Sequence, residues 1–476
     1  MGQEIDKAAF TDEDFHRFHE RLETETRLLG QWAEQGWFDD CRFTGGFELE
    51  AWLLDPETLH PVARNEDLLR AAADPLLTPE LARFNIELNN TPRPLAGHGL
   101  RQMQAELETV WQRTEDRASE LGIRLAAAGI LPTARHQDFT LDNMSAMTRY
   151  RALNEQYLRL REGRTQHLDI EGRERLTLDH PNVMLEAATT SFQIHLEVPA
   201  TRMRRHLNAA MAASAPLVAA AANSPFLFGR DLWAETRIPL FEQAVELGSY
   251  ALRGPLKRVS FGSGYLRSRV AEPFEENLEH YPVLLPILFD TPPEELAHLR
   301  LHNGTIWRWN RLLVAPGHRP HLRLEQRVVP AGPTFTDQIA NAALFFGLAH
   351  ALASREVPPE VGLEFALAKQ NFYQCARHGL RASIHWTDGK RHPVRQLLLE
   401  QLIPEARRGL KALGMAPEDA DGYIAILRQR IKTGRTGYGW QRAFVERHGA
   451  DMDALTRAYL ENQATALPVH EWPWPR

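Results

Sequence analysis

Four segments far apart in the chain alternate residue by residue between apolar and polar side chains. This repeated design predicts an α+β protein: a large antiparallel sheet with helices packed on one face. Two further observations point the same way. The polar faces all carry Glu, His, Arg or Asn, and the stretches between the segments place apolar residues at helical spacing. Taken alone, such a segment reads as a surface strand whose alternation serves solubility. Together they describe one sheet whose polar faces line a common trough.

The elements follow in order. Residues 15–37 carry Phe18, Leu22, Leu28, Leu29 and Trp32 among charges and read as an amphipathic helix. Thr44-Gly45-Gly46 reads as a turn, and residues 47–53 as a strand with Glu48 and Glu50 on one face. After a Pro-rich and helical connection, residues 84–89 repeat the pattern with Asn85, Glu87 and Asn89 on the polar side, and Pro92 and Pro94 end the strand. Residues 100–121 read as a helix, 123–128 as a short strand, 132–148 as a loop and 149–161 as a helix. The third polar-faced strand, 190–198, sets Ser191, Gln193, His195 and Glu197 against Phe192, Ile194, Leu196 and Val198. An Ala-rich helix from about Thr201 ends near Asn223, and residues 226–242 connect a loop to a helix. Residues 304–314 form a strand that hairpins through Pro316-Gly317 into 321–329, where Arg323, Glu325 and Arg327 share a face. Residues 336–353 return to helix, with Phe345 and Phe346 as core, and the chain from about Arg381 is mainly helical. Residues 1–380 are therefore expected to form the catalytic domain, with a helical C-terminal region, 381–476, packed on it.

Composition narrows the classes. At 476 residues the chain can bury a large core, and its net charge of −7 gives no reason to expect nucleic-acid or membrane binding. The apolar runs 209–222 and 339–353 are too short or too Ala-rich to span a bilayer and read as buried helices. Cys41 and Cys375 stand far apart, without a CxxC pattern, so a reducing cytoplasm is expected. The start of the chain turns acidic without an apolar core, unlike a signal peptide, and Asp6 breaks a myristoylation pattern.

The trough would gather Glu48, Glu50, Glu87, His195, Glu325 and Arg327. Carboxylates sharing a site with few lysines cannot all ionise without cations, and oxygen-rich ligation favours Mg²⁺ or Mn²⁺ over zinc. Such ions hold triphosphates, and Arg327 beside Glu325 suits phosphate oxygens during phosphoryl transfer. A surface network of ion pairs is the competing reading. No P-loop, and no GxGxxG after a strand, is present. His318 and His321 do not share a face at their spacing and read as residues flanking the hairpin.

The order of short motifs resembles glutamate-cysteine ligase family 2 and the related carboxylate-amine ligases. The resembling pieces are Gly46-Phe47-Glu48-Leu49-Glu50, Ile86-Glu87-Leu88, Phe192-Gln193-Ile194-His195, Ala222-Asn223-Ser224-Pro225-Phe226 with Gly229 and Arg237, Trp309-Asn310-Arg311, Leu324-Glu325-Gln326-Arg327, and Asn371 followed by Ala376-Arg377-His378-Gly379-Leu380. The resemblance implies a glutamine-synthetase-like sheet, ATP with two or more Mg²⁺ (or Mn²⁺), and amide formation through an acyl phosphate. It implies Glu48, Glu50, Glu87, His195 and Glu325 as metal ligands, Glu325 and Arg327 as catalytic residues, and Arg327 as the phosphate contact. Arg237 and Arg311 become candidates for a substrate carboxylate or phosphate. Asn223 reads equally as a functional residue or as a helix terminator. Glutamate plus cysteine is the leading substrate pair, the partners are small amino acids or amines, and a homodimer is compatible with the reading. A phosphotransferase on the same sheet and a catalytically idle nucleotide or metabolite sensor stay open beside it. Arg323 has no assigned role.

Overall fold

The computed structural model describes residues 4–5, 7–39, 42–247 and 257–475. Residues 1–3, Asp6 and Cys41, on which the readings of the chain start and of cysteine pairing rest, lie outside them.

Alternation along the strands builds one eight-stranded sheet. Its strands are β1 (Thr44–Leu54), β2 (Leu77–Pro79), β3 (Asn85–Asn89), β4 (Arg93–Pro94), β5 (Arg124–Ala126), β6 (Phe192–Glu197), β7 (Asn310–Ala315) and β8 (His321–Gln326). They run in the order β7-β8-β6-β1-β3-β2, with β4 and β5 pairing with the two ends of β1, and every pairing is antiparallel. The four polar-faced segments are thus neighbours. Register completes the gathering: Glu50 lies opposite Glu87, Glu48 opposite Gln193, and His195 opposite Glu325. Residues directly opposite in a pair project to the same side.

Among the helices that frame the sheet are α1 (Asp12–Gln35), α2 (Gly99–Glu120), α3 (Thr148–Leu160), α4 (Ala200–Ala221), α5 (Arg237–Ala244), α6 (Ala297–Asn303), α7 (Phe335–Ala353) and α8 (Ile403–Ala412). The long, Ala-rich α4 and α7 cover the apolar face, where Phe47, Leu49, Phe192, Ile194 and Leu324 are buried. The Phe47 ring lies 4.9 Å from Phe192 and 6.1 Å from Phe346. Each such side chain contributes about 1.5–3 kcal/mol by leaving water. One polar patch interrupts this layer. Gln326 Nε2 donates to Asn310 Oδ1 at 2.9 Å, and Asn310 Nδ2 donates to Ser214 Oγ of α4 at 2.9 Å, so Gln326 is satisfied without reaching the trough.

Two expectations change. Gly45 and Gly46 do not turn the chain; they open β1 and pair with β6. A Cβ on Gly45 would sit 2.7 Å from Leu95 and 3.1 Å from Phe346, so glycine there lets the strand lie close under α7. The expected strand 304–314 is two pieces, because Trp307–Arg308 pairs in parallel with Val259–Ser260 before β7 begins. Helix α8 meets α7 where a Cβ on Gly409 would fall 1.9 Å from the Gly347 carbonyl oxygen. The buried Arg430–Asp337 ion pair, at 2.7 Å, also ties the C-terminal helices to α7. Asn223 is fully buried and donates to the Ala331 carbonyl and Tyr459 Oη, a packing link rather than an exposed helix end.

Candidate active site

Opposite the apolar layer, the polar face of the sheet is roofed by α3, α6 and the turn Val183–Ala188. A cavity of about 310 Å³ lies between sheet and roof. Glu48, Glu50, Glu87, Glu325, Arg311 and Arg327 all line it. The acids form two groups.

In the first, ligand atoms of Glu48, His195 and Glu325 lie within 4.8 Å of one another. His195 Nε2 is 3.1 Å from Glu48 Oε1 but off the line of a hydrogen bond, and both ring nitrogens are buried without a hydrogen-bond partner. Glu325 accepts from Arg311 Nε at 2.7 Å and Nη2 at 2.8 Å, and Arg327 Nη1 stands 3.3 Å away. Burial works to raise the Glu325 pKa, yet the charges of Arg311 and Arg327 outweigh it and hold the carboxyl at about 2. Glu48 behaves alike: burial opposes ionisation, but His195 and Arg323 keep it well below the usual carboxylate range.

In the second, Glu50, Glu80 and Glu87 come together. Glu50 accepts from the Ser191 backbone N–H at 2.7 Å, Ser191 Oγ at 2.9 Å and Gln193 Nε2 at 2.9 Å. Glu87 accepts from Thr78 Oγ1 at 3.0 Å and Asn89 Nδ2 at 3.1 Å. Burial, then repulsion from Glu48 and Glu50, pushes Glu87 up to about 7. Burial and the charge of Glu87 push Glu80 well above its ordinary value, and burial with Glu50 nearby lifts the adjacent Glu186 to about 8. Gln193 joins the groups, because it donates to Glu50 and accepts from Arg327 Nη1.

The donors fit divalent cations. Carboxylates crowded until they hold protons, beside a buried imidazole with two orphaned nitrogens, are what a bound Mg²⁺ or Mn²⁺ would relieve. All five residues expected as ligands from the sequence fall in the two groups.

Arg237 stands apart. It does not line the cavity: Nε donates to Glu235 Oε1 at 3.1 Å, and Nη2 to the carbonyls of Arg327 at 3.1 Å and Val328 at 2.6 Å. It steadies the strand end that carries Arg327. Arg323, left without a role by the sequence, lines the cavity opposite Glu197 in register. Sequence reasoning missed Glu80, Glu186, Arg149 and Arg258, all on the cavity wall. Glu186 offered a signal, as the lone charge in the run Val183–Ala188. Glu80 follows a strand of three residues, too short to show alternation.

A model described as glutamate-cysteine ligase family 2 matches residues 44–461. A Frankia casuarinae protein, carried under the provisional name glutamate–cysteine ligase 2-2, is 24% identical over 412 residues; these cover 84% of this chain and 39% of that protein, so the chain spans about two fifths of the relative's length. The crystal structure of a Francisella tularensis glutamate–cysteine ligase in complex with AMP superposes with a TM-score of 0.59, at 13% identity and with 89% of each chain covered. That likeness shows the fold alone, an α+β architecture built on a large antiparallel sheet.

Proposed function

The chain belongs to glutamate-cysteine ligase family 2, and on that premise we propose that it is an ATP-dependent carboxylate-amine ligase with glutamate and cysteine as its leading substrates. The observation that carries this reading is the convergence of two acid groups, Glu48/His195/Glu325 and Glu50/Glu80/Glu87, with Arg311 and Arg327 at one cavity, where every one of these residues but His195 is on the wall. Mg²⁺ held by these acids would neutralise the triphosphate of ATP and draw electrons from its γ-phosphorus.

The residues of the chain supply the rest. A carboxylate is a poor electrophile, and transfer of the γ-phosphoryl group to one of its oxygens, with ADP leaving, turns that oxygen into a leaving group. The amine then forms the C–N bond, phosphate departs, and the nitrogen gives up its proton. Arg327 stabilises negative charge on the transferred group, and Glu325 fixes Arg327 and Arg311 in place. Gln193 bridges Arg327 and Glu50, accepting from the guanidinium and donating to the carboxylate.

The same reading treats residues 1–380 as the catalytic unit and 381–476 as helices packed on it, supported by the α7–α8 contact. No helix among the described residues is long and apolar enough to cross a membrane. We place the activity in the cytoplasm, where ATP and free amino acids are available.

Incubation with Mg-ATP and pools of amino acids, following ADP release and product mass, tests the reading. ADP release that depends on an amine, with a condensed product, is expected. ADP without condensation would point to a phosphotransferase and overturn it.

A further inference from the structure

Beyond the end of β8 the chain continues as an arm, residues 327–333, with Arg327 at its head. A buried carbonyl outside a strand ladder must find another donor, and here side chains supply it. Arg237 Nη2 donates to the carbonyls of Arg327 at 3.1 Å and Val328 at 2.6 Å. Asn223 Nδ2 donates to the Ala331 carbonyl at 2.9 Å, and Gln463 Nε2 to that of Pro333 at 2.5 Å. The Val329 carbonyl accepts instead from the Phe192 backbone N–H. The arm also borders the second acid group, because Ser191, which holds Glu50, bridges to Pro330.

The side chains that grip the arm are themselves locked. At its head, Glu235 supplies the counter-charge: Oε1 accepts from Arg237 Nε at 3.1 Å, and Oε2 from the Asn223 backbone N–H at 2.8 Å. The Arg237 guanidinium also lies 5.4 Å from the Trp309 ring, and the Trp309 carbonyl accepts from the Arg327 backbone N–H. At the far end stands Tyr459, on the C-terminal helix Met452–Gln463. Its Oη accepts from Asn223 Nδ2 at 2.8 Å and donates to the Ala127 carbonyl at 3.0 Å. It also presses on the arm directly, since a Cβ on Gly332 would fall 2.5 Å from that oxygen. Asn223, Glu235, Arg237 and Tyr459 are all buried, and none of them lines the cavity.

We propose that Arg237 and Tyr459 are positioning residues, the two jaws of a clamp on residues 327–333 that sets where Arg327 meets the transferred phosphoryl group. The C-terminal helix then serves the site as well as packing on it. A buried Arg–Glu pair is weak as a source of stability, because well-packed apolar residues do as well in its place. What the pair supplies here is geometry, held at the backbone that carries Arg327. A misplacement of about 1 Å at such a contact costs about a hundredfold in rate. Neither jaw touches a ligand in this scheme; both act through the arm.

The inference rests on the role the ligase reading gives Arg327, but it is tested by binding rather than turnover. Calorimetry with Mg²⁺ compares ADP with the β,γ-imido analogue of ATP, which adds the γ-phosphoryl group. The wild type is expected to bind the analogue at least about tenfold more tightly. Arg237→Lys keeps a charge beside Glu235 but cannot span two carbonyls, and it lowers that preference about fivefold. Tyr459→Phe lowers it about threefold, and ADP binding is unchanged in both. In an Arg327→Ala background, which lacks the preference, neither change lowers binding further. Tyr423→Phe is the structural control: on the helix Pro417–Thr433 it removes a hydroxyl that donates to Gln104 at 2.7 Å, with a similar loss of Tm and the preference intact. A preference absent from the wild type, retained in either clamp variant or lost in Tyr423→Phe would overturn the clamp, as would a further loss in the Arg327→Ala background. The two readings fail separately. A wild type that forms no amide, with a preference that both clamp variants lower, rejects the ligase and keeps the clamp; amide formation with a preference that neither variant moves does the reverse.

Discussion

The two acid groups of the cavity meet at β1, which carries Glu48 of one and Glu50 of the other, and their electrostatics are opposite. Around Glu325, guanidiniums from β7 and the end of β8 stand in for cations, and the carboxyl stays ionised down to about pH 2. Around Glu87 and Glu80, the neighbours are mostly other acids, and protons stand in instead. The sheet therefore stores two kinds of placeholder charge. One is covalently part of the protein and would have to be rearranged for a cation to bind; the other would be released to solvent.

The largest expected effect comes from breaking the guanidinium-filled group. Glu325→Ala should lower turnover at least about 10³-fold. It should also cost about 3–5 kcal/mol of stability, because Arg311 and Arg327 are left buried and unpaired. Circular dichroism should still report a folded protein with a lower Tm, and near-normal activity in this variant would remove Glu325 from the site.

A more selective effect is expected from the proton-filled group. Glu80→Gln replaces a carboxyl whose ionisation burial and the charge of Glu87 already oppose, so stability without metal should change by less than about 1 kcal/mol. Mg²⁺ affinity, read by the Tm shift on titration, should fall at least about tenfold. A large Tm loss with unchanged Mg²⁺ response would make Glu80 a structural acid.

The pH profile separates the groups more gently. Glu87, at about 7, and Glu186, at about 8, keep protons in the folded state that the unfolded chain releases near its ordinary 4.5. Stability without metal should therefore fall by several kcal/mol as pH rises from 4.5 through 8 and level off above about pH 9. Glu325 has the opposite sign. Its contribution is present above pH 4.5 and is lost only as pH falls through about 2. Denaturant melts at pH 5 and pH 8, with and without Mg²⁺, read this directly: Mg²⁺ should stabilise more at pH 8, and an equal effect at both would contradict the proton placeholder.

The same contrast explains what the sequence could disclose. Glu48, Glu50, Glu87, His195 and Glu325 were legible because each lies on a strand long enough for a period of two to show, and antiparallel pairing then brings them face to face. Glu80 and Glu186 sit beyond or between regular elements, where no period marks the direction of a side chain. Arg237 shows the converse. Its motif suggested a ligand contact, but its place at the start of α5, behind the strand end, gives it to Glu235 and two carbonyls. Arg149 was read only as the first residue of a helix, since nothing local distinguishes a buried arginine from a solvated one.

The central claim, that both acid groups are cation sites, is tested most directly by counting Mn²⁺. Electron paramagnetic resonance of the protein titrated with Mn²⁺ in the presence of ATP should give about two tightly bound ions per chain, one for each acid group. Glu48→Gln and Glu87→Gln should each lose one. Wild-type counts in both variants, or no tight Mn²⁺ in the wild type, would contradict it.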